Sequence, residues 1–136
     1  MYSNDLKNSL HGIIVYVNNL LQSKQLHFDS DANEHLVIEI TFNHIHLAVT
    51  TVYRSPSSTD ENNDTFIYLI SEICSQHFGS NLIIGDFNYN IDWTVHHLNT
   101  NDSSNQKFYE TVQKNFFARH VYNPTRCRGS VSGVNR

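Results

Sequence analysis

Three short segments carry side chains that could handle a phosphate. The first is Leu82-Ile83-Ile84-Gly85-Asp86-Phe87-Asn88, an apolar run ending in a carboxylate and a carboxamide two residues apart. On an extended segment residues i and i+2 point to the same side, which predicts Asp86 and Asn88 in one crevice. That crevice would lie at the C-terminal end of a strand, where ligands of α/β sheets gather. An aspartate there can hold a cation or orient a water, and an asparagine can hydrogen-bond an anionic oxygen without adding charge. The tetrapeptide Gly85-Asp86-Phe87-Asn88 also has the composition of a plain turn, and on local chemistry the two readings stand level. The second segment, Val52-Tyr53-Arg54-Ser55-Pro56, ends a strand in a phenol and a guanidinium before proline forces the chain out of the sheet. Tyrosine can donate to a phosphate oxygen and arginine can grip phosphate with two bonds. Taken alone, Tyr53 at a core edge beside a solvated Arg54 is the commoner arrangement. The third is Thr125-Arg126, a hydroxyl and a guanidinium after Asn123-Pro124. It suits a phosphate-facing loop and a generic turn equally.

The nine histidines do not make a metal pattern. His44 and His46 are an i, i+2 pair on a predicted strand, His96 and His97 are adjacent in a loop, and neither predicted helix carries His-x-x-x-His. They read as surface or core residues, and His77 and Trp93 read as packing. Cys74 and Cys127 are too few for a disulfide scaffold and lack zinc-site spacing. They predict two free thiols in a reducing, intracellular compartment.

The elements that would position these residues follow from periodicity. Ile13–Val17 reads as a buried strand, and a weak strand is possible near Gln25–Phe28. Leu36, Ile38, Ile40 and Phe42 share one face of an alternating run, and Ile45, Leu47, Val49, Thr51 and Tyr53 repeat the pattern after Asn43. Two such runs across a short turn predict a β-hairpin with one face on a core. The stretch from Ser55 to Asp64 reads as loop. Phe66, Leu69, Ile70, Ile73, Cys74 and His77 recur at helical spacing, predicting a helix over Thr65–His77 stopped by Gly79. Leu82–Ile84 predicts a short buried strand. Ser103 or Ser104 would cap a helix over Asn105–Phe116 that turns Phe108, Val112 and Phe116 inward, and His120–Tyr122 could be a strand. The order predicts an α/β fold with a mixed sheet.

Composition removes other classes. The chain has 136 residues, enough for one domain. Lys plus Arg is 9 and Asp plus Glu is 13, a formal charge of −4. That argues against a binder that grips phosphates by clustered positive charge. It leaves a metal-dependent nuclease open, because the metal supplies the positive charge. No apolar run approaches the ~20 residues of a membrane helix, and Met1 to Gly12 has no leader pattern. The expectation is therefore no membrane partner.

Four pieces now stand in order: Gly12-Ile13-Ile14-Val15-Tyr16-Val17, Val52-Tyr53-Arg54-Ser55-Pro56, Ile83-Ile84-Gly85-Asp86-Phe87-Asn88 with Trp93 behind it, and Asn123-Pro124-Thr125-Arg126. Together they resemble the endonuclease/exonuclease/phosphatase family, nearest to the apurinic-like endonuclease domains of non-LTR (LINE-type) retrotransposons. The resemblance implies a DNase I-like four-layer α/β sandwich, present here in part, and magnesium- or manganese-dependent hydrolysis of a DNA phosphodiester. It implies as partners DNA and the reverse transcriptase domain of a parent element. By motif, Asp86 would hold the metal and activate or position the attacking water. Asn88 would orient Asp86 and contact the phosphate, and Tyr53 would hydrogen-bond it. Arg54, Thr125 and Arg126 would be lesser substrate-side groups.

The sequence also departs from the family pattern. The family's N-terminal segments carry an Asn and a metal-binding Glu ahead of the Gly-Ile-Ile-Val-Tyr-Val strand. Its C-terminal part ends on a Leu-Asp-type strand and an Asp-His pair. Neither is found between Met1 and Arg136, and His11-Gly12 stands where a Gly-Gly pair is usual. The expectation is a single incomplete domain, with motifs spanning 12–126 and a polar tail over 127–136, and little or no nuclease activity of the chain alone. Two other readings stay open: a catalytically inactive retroelement remnant, and a module that binds a partner through exposed sheet edges.

Overall fold

The computed structural model describes residues 1–5, 12–30, 32, 34–76, 78–93 and 101–121. The strongest alternation in the sequence forms β4 (His35–Phe42) and β5 (Ile45–Tyr53), an antiparallel pair with Phe42 opposite Ile45. Asn43 and His44 close it with φ of 49° and 65°, the left-handed pair that a two-residue hairpin loop needs to match strand twist. His44 is thus in the turn, not on a strand beside His46. β3 (Gln22–Leu26) adds antiparallel to β4, a few residues before the weak strand expected near Gln25–Phe28. β6 (Ser80–Asp86) adds parallel to β5 after the crossover helix α1 (Asp60–Ser75), giving the order β3-β4-β5-β6. The result is a mixed α/β architecture with a four-stranded mixed sheet and two helices.

Both faces of this sheet are used. Val37, Ala48 and Val52 meet α1 through Phe66, Leu69, Ile70 and Ile73, and meet α2 (Ser103–Lys114) through Phe108. On the other face Leu36 and Ile38 pack under Ile13 from a small antiparallel sheet of β1 (Tyr2–Asp5) and β2 (Gly12–Val15). The expectation that β4 buries one face is therefore corrected: a strand between two layers buries both, as Val37 and Leu36 do side by side. β6 corrects the opposite way. It was expected to be buried, but it lies at the end of the strand order and the small sheet packs on β4 and β5. Leu82 and Ile84 are left 38% and 43% exposed.

The helices begin earlier than expected. Thr59 caps α1, its hydroxyl accepting from the Asn62 N–H at 3.2 Å, so Asp60 and Glu61 form a first turn where negative charge is favoured. The acidic stretch that reads as loop is helix. Gln76, in an extended conformation, ends it, and Gly79 lies beyond that end. His77 falls outside the described residues. Asp102, rather than a serine, caps α2, its carboxylate accepting from the Ser104 and Asn105 N–H groups. That helix ends before Phe116, which sits at φ 57° and is 94% exposed instead of facing the core. His120 and Val121 are not strand, and Tyr122 lies outside the described residues.

Candidate functional site

Tyr53 and Asp86 are register partners at the C-terminal ends of the parallel strands β5 and β6. The two motifs that end these strands therefore reach the same edge of the sheet. The ladder runs one step further, because the Arg54 N–H donates to the Asp86 carbonyl at 2.9 Å. Gly85 makes that close approach possible. Its φ is 147°, and a Cβ built there would lie 1.8 Å from the Val52 carbonyl oxygen.

Asn88 arrives by a different route than expected. The extended segment ends at Asp86, and Asn88 has a left-handed φ of 48°, so the i, i+2 argument does not apply to it. Its Nδ2 turns back and donates to the Arg54 carbonyl at 2.8 Å. In return the Arg54 Nη1 donates to the Asn88 carbonyl at 2.9 Å and reaches the Phe87 carbonyl at 3.4 Å. The two residues close a reciprocal knot between the strand ends.

Arg54 is 9% exposed and faces inward. Its Nε donates to Asn63 Oδ1 at 2.6 Å, and its guanidinium carbon lies 4.1 Å from the centre of the Tyr89 ring. That ring stacks on Phe108 at 4.2 Å, and Phe87 packs against Phe108 and Phe66. Burial pushes the Tyr89 phenol up to about 12, with the neighbouring Arg54 opposing, so Tyr89 is a neutral wall and not a base. Asn63 Nδ2 donates to Ser104 Oγ at 3.0 Å, and that hydroxyl donates to Asp60 at 3.1 Å. From α2, Asn105 holds Asn90 by its N–H and its carbonyl, both at 3.3 Å. Asn63 and Asn105 leave little trace in the sequence. The readable signal was a polar residue three positions before Phe66 and Phe108 respectively, on the stripe that faces the core.

Thr125, Arg126, His96, His97 and Cys127 lie outside the described residues. Trp93 packs edge-on against Phe108 and tilted against Tyr109, with the Arg119 guanidinium 5.8 Å above it. His35 bonds the Ala32 carbonyl through Nδ1, and His46 pairs with Glu39. Cys74 is a free thiol, pushed up by burial. Among the described residues no three of His, Cys, Asp and Glu come together as a metal cage. Magnesium asks for less, since it keeps several waters and binds through one or two carboxylates plus substrate phosphates. Asp86 is the carboxylate at the strand ends where the two motifs meet. Among the described residues no helix is long and apolar enough to cross a membrane.

Comparison of the chain with family models, with curated proteins and with solved structures finds no match.

Proposed function

We propose that the chain is a phosphodiesterase domain of the endonuclease/exonuclease/phosphatase type, related to the endonuclease of non-LTR retrotransposons, and that its architecture belongs to the four-layer α/β sandwich. DNA is the proposed substrate, and the reverse transcriptase domain of a parent element, in an intracellular setting, the proposed partner. The observation that carries this reading is the register pairing of Tyr53 with Asp86 at one sheet edge, with Asn88 tied to the same edge. A magnesium or manganese ion held at Asp86 would polarise the phosphate and offset the charge that builds during hydrolysis. Asp86 would also orient the attacking water. The Tyr53 hydroxyl would donate to a phosphate oxygen, as donors aimed at developing charge do. Arg54, engaged inside the protein, would keep Asn88 and the strand ends in place, and Thr125 and Arg126 remain proposed substrate-side groups.

The competing reading is an inactive remnant. Relaxation of supercoiled plasmid, with magnesium or manganese, compares the chain with its Asp86→Ala variant. Slow, metal-dependent nicking that falls by about 10²–10³ in the variant supports the phosphodiesterase. Equal background in both proteins sinks it and leaves the remnant.

A further inference from the structure

We infer that Asn63 is a positioning residue for the Tyr53–Asp86–Asn88 edge, acting through Arg54. Its effect on cleavage rests on the phosphodiesterase reading; its effect on geometry does not. Asn63 lies in the first turns of α1, yet it is 1% exposed, on a stripe otherwise made of Phe66, Ile70 and Ile73. A buried amide costs stability unless its donor and acceptor are both engaged. Here the acceptor takes the Arg54 Nε, and the donor goes to Ser104, whose own proton goes to Asp60. Every member of this chain has one direction open to it, because a guanidinium can only donate and an ionised carboxylate can only accept. The series Arg54 to Asn63 to Ser104 to Asp60 therefore has a single polarity.

The rotamer of Arg54 follows from that polarity. With Nε fixed by Asn63 and the guanidinium face against Tyr89, Nη1 is directed at the Asn88 and Phe87 carbonyls. The planar fork has fixed angles, so moving the Nε acceptor moves Nη1 with it. Asn88 needs such a hold, since a non-glycine residue at left-handed φ is disfavoured unless its surroundings impose it. Removing the Asn63 acceptor would leave a buried N–H unpaired and free the fork to turn. The Asn88 knot would loosen while the α1 core below stays packed.

Two variants of one position separate positioning from mere support. Asn63→Leu removes the acceptor; Asn63→Asp keeps it and, having no Nδ2 donor, takes the Ser104 hydroxyl proton instead, so the Arg54 Nε stays engaged. Ile73→Ala is a control that weakens the far end of α1 without touching the chain of bonds. The first readout is amide exchange of the Arg54 N–H and the nitrogen-15 shift of the Asn88 side-chain amide. Asn63→Leu should speed exchange at Arg54 by about ten- to a hundredfold, and shift the Asn88 signal. Asn63→Asp should restore both, and Ile73→Ala should leave the Asn88 signal in place. If Asn63→Leu fails to fold, Ser104→Ala tests the same chain more gently and should shift the Asn88 signal in the same direction. The second readout is plasmid nicking, where Asn63→Leu should lower kcat and leave KM unchanged. An Asn88 signal that moves no more in Asn63→Leu, or in Ser104→Ala, than in Ile73→Ala overturns the inference, whether or not the chain nicks DNA. Failure of nicking in the unsubstituted chain, with the Asn88 shift present, overturns the phosphodiesterase reading alone.

Discussion

The two ends of the central sheet each bury one charged group, and they hold it by opposite means. At the ends of β5 and β6 the guanidinium of Arg54 is surrounded by neutral acceptors: the Asn63 amide, two main-chain carbonyls and the face of Tyr89. Toward the hairpin tip the charge is the carboxylate of Glu39, also buried, and its partners are the Lys24 ammonium, at 2.7 Å, and the His46 imidazole. Both partners are half or more exposed. An ionised carboxylate has no proton to give, so the His46 Nδ1 donates. A cage of amides and carbonyls does not titrate between acid and neutral pH and is little screened by salt. A carboxylate held by an exposed ammonium and an exposed imidazole responds to both. The neutral cage lies at the edge where the motifs converge, so the groups that touch Arg54 carry no charge to titrate or to screen, while the charged clamp lies toward the hairpin tip.

The largest expected effect breaks the neutral end outright. In Gly85→Ala the new Cβ meets the Val52 carbonyl, a main-chain atom that cannot swing away, and the left-handed φ adds strain. Either β6 separates from β5 at its last pair or the turn through Asn88 shifts. The expected cost is on the order of 3 kcal/mol in chemical denaturation, with loss of exchange protection at the Arg54 N–H. A variant with unchanged stability and protection would show that the close approach at Gly85 does not hold this edge.

Acid should separate the ends next. The hydrogen bond from Lys24, then that from His46, holds the Glu39 carboxyl below the usual carboxylate range, with burial opposing. Its contribution is complete above the unfolded value near 4.5 and is lost as pH falls through the depressed folded value. His35, lowered by burial with its bond to Ala32 opposing, adds an earlier window at the Arg54 end of β4, where it is the register partner of Val52: stability declines as pH falls below the ordinary value of 6.5. Within the lower window, protection of the amides around Glu39 on β3, β4 and β5 should therefore fall before that of Arg54. Glu39→Gln should flatten the lower window and leave the upper one. Loosening that reaches Arg54 before the amides around Glu39 within that lower window would contradict the comparison.

The same contrast marks what the sequence made legible. The hairpin, both helices and β6 were readable because period two and period 3.6 are local, and Tyr53 and Asp86 were readable as strand ends by the same token. β1 was not, because Tyr2-Ser3-Asn4-Asp5 has no periodicity and is strand only through its pairing with β2. The acidic turn of α1 was hidden by composition, since Asp60 and Glu61 suit a loop as well as a helix start. Two-sided burial of β4 depends on β1 and β2 landing above it. The hold on Arg54 was least accessible: its partners Asn63 and Asn88 lie 9 and 34 positions away, and Asn63 reaches 41 positions to Ser104. Left-handed φ at Asn88 has only the weak signal that asparagine tolerates it better than most residues.

The smallest expected effect tests whether charge matters where the two helices meet. Lys107 on α2 donates to Asp64 on α1 at 2.6 Å, and both side chains are about half exposed. Such a pair orders two side chains in water and is screened by salt, so its net value is about 0–1 kcal/mol. Beneath it the helices already meet through Phe66 stacked on Phe108 at 6.2 Å and through the bond from Asn63 to Ser104. Lys107→Met, which keeps most of the apolar stem, should change stability by less than about 1 kcal/mol. That small difference should shrink further when salt is raised from tens to hundreds of millimolar. The Asn88 amide signal should not move, because the pair lies outside the chain of bonds from Asn63 to Arg54. A loss as large as that in Gly85→Ala, or a displaced Asn88 signal, would mean that the surface ion pair sets the helix positions and that the neutral contacts beneath it follow.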